Sequence, residues 1–199
     1  MGCNSTLPTS FISSLTATLF SGSHSISVEI KLLIIFSNSV GDITAVDFDS
    51  GEIIWQTPTQ SSEVYENAFS LVMSDLVIRE NNLVFSNNRN EFFSMNSSNG
   101  LTIWKQEINS NLRPVFYDKF LFTVSKEGYF FVIEKDTGNI VRITDVFDVF
   151  KSKKRKKIQP IGFVVSTDKM ILSTNSGRLL TISIATGKTE NISKINNDR

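Results

Sequence analysis

Residues 32–55 read LLIIFSNSVGDITAVDFDSGEIIW, and the same plan returns three times along the chain. The later copies are NNLVFSNNRNEFFSMNSSNGLTIW at 81–104, KFLFTVSKEGYFFVIEKDTGNIVR at 119–142 and DKMILSTNSGRLLTISIATGKTEN at 168–191. Each copy has an apolar stretch, a short polar turn, a second alternating stretch and a turn that ends in glycine. An internal repeat of this length indicates a modular fold, so it is the main evidence on architecture.

The two turns of every copy keep a fixed spacing. The first-turn residues lie ten positions before the second-turn glycines, and the pairs are Gly41 with Gly51, Asn90 with Gly100, Gly128 with Gly138 and Gly177 with Gly187. Glycine, and asparagine after it, tolerates positive φ, so both positions predict tight hairpin corners.

The stretches between the corners have the period of β-strands. Leu180, Ile182 and Ile184 alternate with smaller or polar residues, as in a strand with one better-buried face. Successive second-turn glycines are 49, 38 and 49 residues apart, which brackets the roughly 40 to 50 residues of a four-stranded propeller blade. Further strands are expected from the connecting segments 70–79, 113–117 and 160–166.

The predicted fold is all-β, a β-propeller with about four blades in residues 29–199 that form part of a larger propeller. Residues 1–28 are rich in Ser and Thr and show no copy of the repeat. We assign this segment no fold. A four-blade ring and a dimer that pairs two halves are the alternatives to a fragment of a larger ring, and an incomplete ring predicts self-association through its exposed sheet face and edge.

Composition excludes several classes of function. The chain has 20 basic and 20 acidic side chains, so its total charge predicts no attraction to nucleic acid or to an anionic membrane. The single cysteine, Cys3, and the single histidine, His24, cannot supply a disulfide framework or a typical zinc site. No apolar run approaches the roughly 20 residues of a transmembrane helix, and the start lacks a clear signal peptide.

The segments GDITAVDFDSGEIIW and GYFFVIEKDTGNIVR resemble the repeat of the PQQ-like, or quinoprotein-type, β-propellers. Within that superfamily, the chain is most similar to the propeller lipoproteins of the bacterial outer-membrane barrel assembly machinery. The resemblance implies that Trp55 and Trp104 pack between adjacent blades. Arg142 and Asn191 depart from the family's tryptophan, so the third and fourth blades are expected to make looser or differently built interfaces.

The resemblance implies a non-catalytic scaffold for protein–protein interaction in the cell envelope, on the periplasmic side of the outer membrane. Its partners would be other envelope assembly subunits, and it needs no cofactor. The alternative is a fragment of a quinoprotein dehydrogenase that uses PQQ and calcium. Its candidate carboxylates lie at or beside repeat turns, where Asp is favoured for local backbone hydrogen bonding: Asp42, Asp47, Asp49 and Asp136.

The connection between the third and fourth copies carries the basic run KKRKK at 153–157. It predicts an exposed loop, and it offers a contact to phosphate, to an acidic partner or to an import receptor. A nucleic-acid adaptor would need a broad basic face, which a neutral chain does not suggest. The residues expected to contact a partner are Arg113, Arg142, Lys151, Lys153, Lys154 and Arg155.

Overall fold

The computed structural model describes the backbone of residues 12–22, 25–38, 40–59 and 71–195. Side chains are described for residues 32–38, 40–59 and 71–195. Cys3 and His24, and the expectations attached to them, lie outside these residues.

Within the described residues, sixteen strands form four antiparallel sheets, each of four strands that follow one another along the chain. Blade 1 comprises β1 Ile12–Gly22, β2 Ser25–Ser37, β3 Ile43–Asp47 and β4 Ile53–Thr57. Blade 2 comprises β5 Val77–Arg79, β6 Asn82–Asn87, β7 Glu91–Asn96 and β8 Thr102–Gln106. Blade 3 comprises β9 Val115–Tyr117, β10 Phe120–Val124, β11 Tyr129–Glu134 and β12 Ile140–Asp145. Blade 4 comprises β13 Pro160–Val165, β14 Lys169–Thr174, β15 Arg178–Ser183 and β16 Thr189–Lys194, and a helical turn, α1 Ser152–Arg155, precedes it.

The fold of the described residues is therefore an all-β propeller, of which about four blades are present. The connecting segments supply the first strand of blades 2, 3 and 4, as the sequence predicted. Each blade is a simple meander, because antiparallel neighbours need only short hairpin connections.

The first sheet begins before residue 29, where we expected the repeats to start. β1 pairs with β2 along its whole length, from Ile12 opposite Ile35 to Gly22 opposite Ser25. The sequence left residues 1–28 unassigned, and β1 lies within this segment. The repeat does not reveal β1, because this strand precedes both corners. Its alternation of Leu and Ala with Ser and Thr is nevertheless typical of a strand.

The corners have the same backbone geometry in every blade. At the second corner, φ is +72° at Gly51, +71° at Gly100, +75° at Gly138 and +74° at Gly187. Positive φ at these sites favours glycine because a β-carbon would crowd the backbone. A register shift follows at the same repeat position in each outer hairpin, for example between Ala45 and Val46. Corner and bulge together set how the fourth strand meets the next blade.

Apolar side chains from facing sheets fill the space between blades. Because neighbouring residues of a strand point to opposite faces, Leu83 and Phe85 pack toward blade 1 while Val84 packs toward blade 3. Phe122 of blade 3 likewise belongs to the cluster that contains Leu180 of blade 4. The core is thus a series of layers between blades, which fixes the spacing of the loops at their ends.

Candidate functional site

Blades 1 and 2 are joined at Trp55. A β-carbon built on Gly100 would lie 2.4 Å from Trp55 Cε3, so the indole ring rests where only glycine leaves room. The indole N–H donates to the carbonyl oxygen of Ser97 at 3.1 Å, and the Thr57 hydroxyl donates to that of Gly100 at 2.9 Å. The second corner of blade 2 thus offers the preceding blade a flat surface and two acceptors.

Trp104 repeats this joint between blades 2 and 3. Its ring stacks on Phe92 at 5.8 Å between centroids, and a β-carbon on Gly138 would lie 2.6 Å from Trp104 Cδ2. The indole N–H donates to Lys135 O at 2.9 Å, and Gln106 Nε2 donates to Gly138 O at 2.8 Å. Both tryptophans therefore pack between adjacent blades.

Arg142 occupies the tryptophan position at the joint between blades 3 and 4. Its guanidinium donates to the carbonyl oxygens of Ile184 and Ala185, and its Cζ lies 5.7 Å from the centre of the Phe130 ring. Ile184 has the repeat position that Ser97 has in blade 2. Burial lowers the pKa of Arg142, but an arginine remains charged at any pH that a folded protein tolerates.

The geometry at Arg142 bears on two sequence-based expectations. Its guanidinium donates to two carbonyls of blade 4, as expected of a differently built interface, while its contact with a partner stays a prediction. A planar cation can replace the indole here because it also packs on an aromatic ring and donates hydrogen bonds. The third joint is therefore built differently from the first two.

We expect Arg142→Ala to lower the free energy of unfolding by about 2–3 kcal/mol, because the charged hydrogen bonds and the contact with Phe130 are lost together. Arg142→Lys should cost about 1–2 kcal/mol, since an ammonium group cannot span both carbonyls as a fork. Urea denaturation of the full chain measures both changes. Lys188→Ala, at an exposed side chain, is the control and should stay within about 0.5 kcal/mol of wild type. Equal stability of Arg142→Ala and the control would contradict this role.

A basic ridge, defined as residues 151–157, lies between blades 3 and 4. Six of its seven residues are Lys or Arg, and all its lysines are exposed. Arg155 pairs with Asp145, at 2.5 Å between Nη1 and Oδ2, and its Cζ lies 5.7 Å from the Tyr129 ring centre. Within the described part of the chain, no ion pair engages a ridge lysine. The ridge therefore presents uncompensated positive charge to solvent.

Apolar residues on either side hold the ridge to the propeller. Phe150 precedes it and Ile158 follows it, and both are buried in the cluster that lies between blades 3 and 4. Two cations flank the Phe150 ring: Lys154 Nζ lies 5.6 Å and Arg178 Cζ 5.8 Å from its centre. A short loop anchored in this way keeps its charges in a defined place, so less conformational entropy is lost on binding.

A cleft of about 580 Å³ separates the ridge from the first corner of blade 3. Its lining combines side chains of the corner, of the ridge, of the two residues after the ridge and of the segment after β8: Asn109, Lys126, Glu127, Tyr129, Ser152, Arg155, Lys156, Ile158 and Gln159. A second hollow of about 480 Å³ lies on the ridge itself and includes Val149 and Phe150 among lysines. The surface therefore places lysines beside Val149, whose apolar side chain is 46% exposed.

Residues 13–144, which cover nearly all of blades 1 to 3, match the family model described as "Outer membrane protein assembly factor BamB". The chain belongs to this BamB family. The match ends before the basic ridge and blade 4, so those parts of the surface lie outside the matched residues.

Two curated BamB proteins are similar to this chain. The BamB of Yersinia pestis is 24% identical over 144 residues, which are 69% of this chain and 31% of that protein. The BamB of Legionella pneumophila is 25% identical over 148 residues, which are 73% of this chain and 33% of that protein. The chain thus spans about a third of the length of the curated relatives it matches.

The crystal structure of BamB from Moraxella catarrhalis has a similar fold. The TM-score is 0.59 at 17% identity, over 83% of this chain and 46% of that chain. At this level of identity the likeness concerns the fold alone. The chain carries a propeller scaffold of the BamB type.

The other residues expected to contact a partner lie in two places in this BamB-family chain. Lys151, Lys153, Lys154 and Arg155 lie together on the basic ridge. Arg113 belongs to the start of blade 3, where its guanidinium is 3.9 Å from the carboxylate of Asp75. Both partners of that pair are exposed, so the contact adds little stability.

Sequence reasoning missed the cleft residues that lie outside the basic run, among them Lys126 and Tyr129. Lys126 and Tyr129 belong to the first corner of blade 3, and only the fold brings that corner to a ridge that follows some 25 residues later. Their signal was indirect, because the corner spacing that placed Gly128 also placed them at a loop tip. Lys156 belongs to the run that sequence analysis did identify.

Two of the four carboxylates that are candidates for a quinoprotein dehydrogenase, those of Asp42 and Asp47, accept local hydrogen bonds. Asp47 Oδ1 accepts the backbone N–H groups of Asp49 and Ser50, and Asp42 Oδ2 accepts from the amides of Asn38 and Gln56. These are turn-stabilising contacts. Among the described residues, no three His, Cys, Asp or Glu side chains cluster in a way that could hold a metal ion. The same residues include no helix with the length and apolar character to span a membrane.

Proposed function

We propose that this chain is a non-catalytic scaffold that binds other proteins of the outer-membrane assembly machinery, on the periplasmic side of the outer membrane. Membership of the BamB family and the similarity to two BamB proteins support this role. In such a scaffold the sheets supply rigid spacing, and the loops between blades supply specificity.

The observation that carries the proposal is the basic ridge. The chain is neutral in total, yet six cations are concentrated in seven residues and held to the core by Phe150 and Ile158. Because Phe150 and Ile158 are buried on either side of the exposed charges, the ridge loses less conformational entropy on binding, which suits a docking surface. The partner segment is acidic, because opposite charge steers encounter and excludes partners with a basic surface.

The shape of the ridge argues against nucleic acid as its partner. Binding to DNA or RNA requires cations spread along a face so that they follow several phosphates. Here the positive charge is local, and Glu127 and Asp145 lie beside it. An acidic loop of a protein fits this pattern better.

Charge reversal on the ridge tests this function. We expect Lys153→Glu, Lys154→Glu, Lys156→Glu and Lys157→Glu, combined in one chain, to weaken binding to purified outer-membrane assembly proteins by about tenfold or more. Wild-type binding should also weaken as salt rises, because exposed charges are screened. Biolayer interferometry at two ionic strengths measures both effects.

The control carries Lys119→Glu and Lys188→Glu, which reverse two charges at exposed side chains away from the ridge. Circular dichroism should show both variants to be folded. Equal binding by the two variants would reject the ridge as the contact surface. Saturable binding of PQQ in the presence of calcium would instead favour the alternative, a quinoprotein dehydrogenase fragment.

A further inference from the structure

The helical turn of the basic ridge presents different residues to two hollows. Residues three and four apart lie on one side of a helix, and helical hydrogen bonds run from Arg155 N to Lys151 O and from Lys156 N to Ser152 O. One set of ridge residues lines the cleft and is called the cleft face: Ser152, Arg155 and Lys156. The other set lines the second hollow and is called the lysine face: Lys151, Lys153, Lys154 and Lys157.

The cleft has a small net positive charge. Of the three cations in its lining, Arg155 is already paired with Asp145. Among the described residues, the ammonium groups of Lys126 and Lys156 have no hydrogen-bond or ion-pair partner. Glu127 is the carboxylate of the lining, and it accepts a hydrogen bond from a neighbouring amide at 2.9 Å. Two unpaired lysines beside one carboxylate favour the binding of one further carboxylate, and not of several.

The same cleft contains an aromatic ring held in place by a cation. The Arg155 guanidinium lies 5.7 Å from the centre of the Tyr129 ring and donates to its hydroxyl at 3.4 Å, while it also pairs with Asp145. Tyr129 is 37% exposed, and the aliphatic side chain of Ile158 lies in the same lining. A ring fixed in this way offers packing surface to an apolar side chain next to the bound carboxylate.

The lysine face has a different character. Among the described residues, its four lysines have no ion-pair partner, and its hollow has no carboxylate in the lining. Ammonium groups on flexible stems attract acidic segments but impose little geometry on them. The lysine face is therefore suited to attracting a partner, and the cleft is suited to selecting it.

An extended segment can reach both faces at once. A helix with its side chains is about 10–12 Å across, so the two faces of the turn are separated by about that distance. Each residue of an extended chain covers about 3.3 Å. A spacing of about three to four residues in the partner therefore spans the turn.

We propose that the basic ridge recognises an acidic protein segment in two parts. The cleft binds one carboxylate between Lys126 and Lys156 and packs an adjacent apolar side chain on Tyr129. The lysine face attracts acidic residues about three to four positions away. Lys126 and Tyr129, which belong to blade 3, thus determine specificity, and Arg155 is a positioning residue for the ring.

This recognition needs only the middle of the chain. All residues that line the cleft lie within 109–159, so neither blade 1 nor the strands of blade 4 contribute to it. The inference rests on the proposed function, because it takes the partner to be an acidic protein segment.

Two synthetic peptides test the cleft with the full chain. Each has a block of aspartates, a spacer of Gly and Ser and then a glutamate, which is followed by leucine in one peptide and by serine in the other. Fluorescence anisotropy gives both dissociation constants. The wild-type chain should bind the leucine peptide about fivefold more tightly, because part of the leucine side chain leaves water. Tyr129→Ala should remove this preference, whereas Tyr129→Phe should keep it because the ring remains.

Neutral substitutions separate the two faces. Lys126→Met should weaken binding of both peptides by about threefold and reduce the preference for leucine, because the glutamate is no longer anchored beside the ring. Lys153→Met, on the lysine face, should weaken binding of both peptides without changing the preference. Lys119→Met is the matched control at an exposed lysine away from the ridge, and it should change neither quantity.

Three results would overturn this inference: equal binding of the two peptides by the wild-type chain, binding of neither, or a preference that survives Tyr129→Ala. Lys126→Met that binds as well as Lys119→Met would also overturn it. All of these results leave the proposed function intact if charge reversal on the ridge still weakens binding to purified assembly proteins. If that reversal has no effect, the proposed function fails even where both peptides bind as expected.

Discussion

Replacing Gly100 by alanine should lower the free energy of unfolding by about 2–5 kcal/mol. One part of the loss is the strain of a non-glycine residue at φ +71°, about 1–2 kcal/mol. The other part is the displacement of Trp55, because the new β-carbon would lie 2.4 Å from Cε3, and overpacking of this kind costs about 1–3 kcal/mol. Urea denaturation at low protein concentration measures the sum.

Gly51→Ala separates the two parts. Gly51 has nearly the same φ, +72°, but open space around a built β-carbon. It should therefore lose only the strain, about 1–2 kcal/mol. If the two alanine variants lost the same stability, packing of Trp55 on the glycine would not contribute to the joint.

Trp104→Ala should lower the free energy of unfolding by about 3–5 kcal/mol, as truncation of other large core side chains does. The ring is 8% exposed, stacks on Phe92 and donates its N–H to Lys135 O, so the variant loses packing and leaves an acceptor unpaired. Thermal and urea denaturation monitored by circular dichroism give the change.

The neighbouring residue provides the control for this variant. Ile103 precedes Trp104 in β8 but is 45% exposed, because it is the bulge residue left out of the ladder. Ile103→Ala should cost less than about 1 kcal/mol. A Trp104→Ala chain as stable as Ile103→Ala would mean that the blades are held together without the tryptophan.

Much of the fold follows from the sequence because one pattern occurs four times. The spacing of Gly41 from Gly51, repeated in each copy, located the corners, and alternation between them located the strands. β1 could not be located in this way, because no marked corner borders it in the repeat. Its pairing with β2 is seen only in the structure. A sequence repeat locates the strands between its corner residues, but it gives less information about strands that precede the first corner.

The candidate site was only partly predictable. A run of basic residues must be exposed, so the positions of Lys153 and Lys154 followed from charge alone. Arg142 was expected both to contact a partner and to mark a differently built interface, and the structure tests only the second expectation. The register of Arg142 with Trp55 and Trp104 was the signal that it belongs to a joint. The cleft beside Lys126 required the fold, because its two walls come from separate segments.

The most direct test of the scaffold function is photo-crosslinking from the basic ridge in living cells. A photoreactive amino acid replaces Lys153 in one chain and the exposed Lys188 in another, and adducts from the cell envelope are identified by mass spectrometry. The account predicts that outer-membrane assembly proteins crosslink from position 153, through acidic segments, and not from position 188. Identical adducts from both positions, or none that belongs to the assembly machinery, would contradict it.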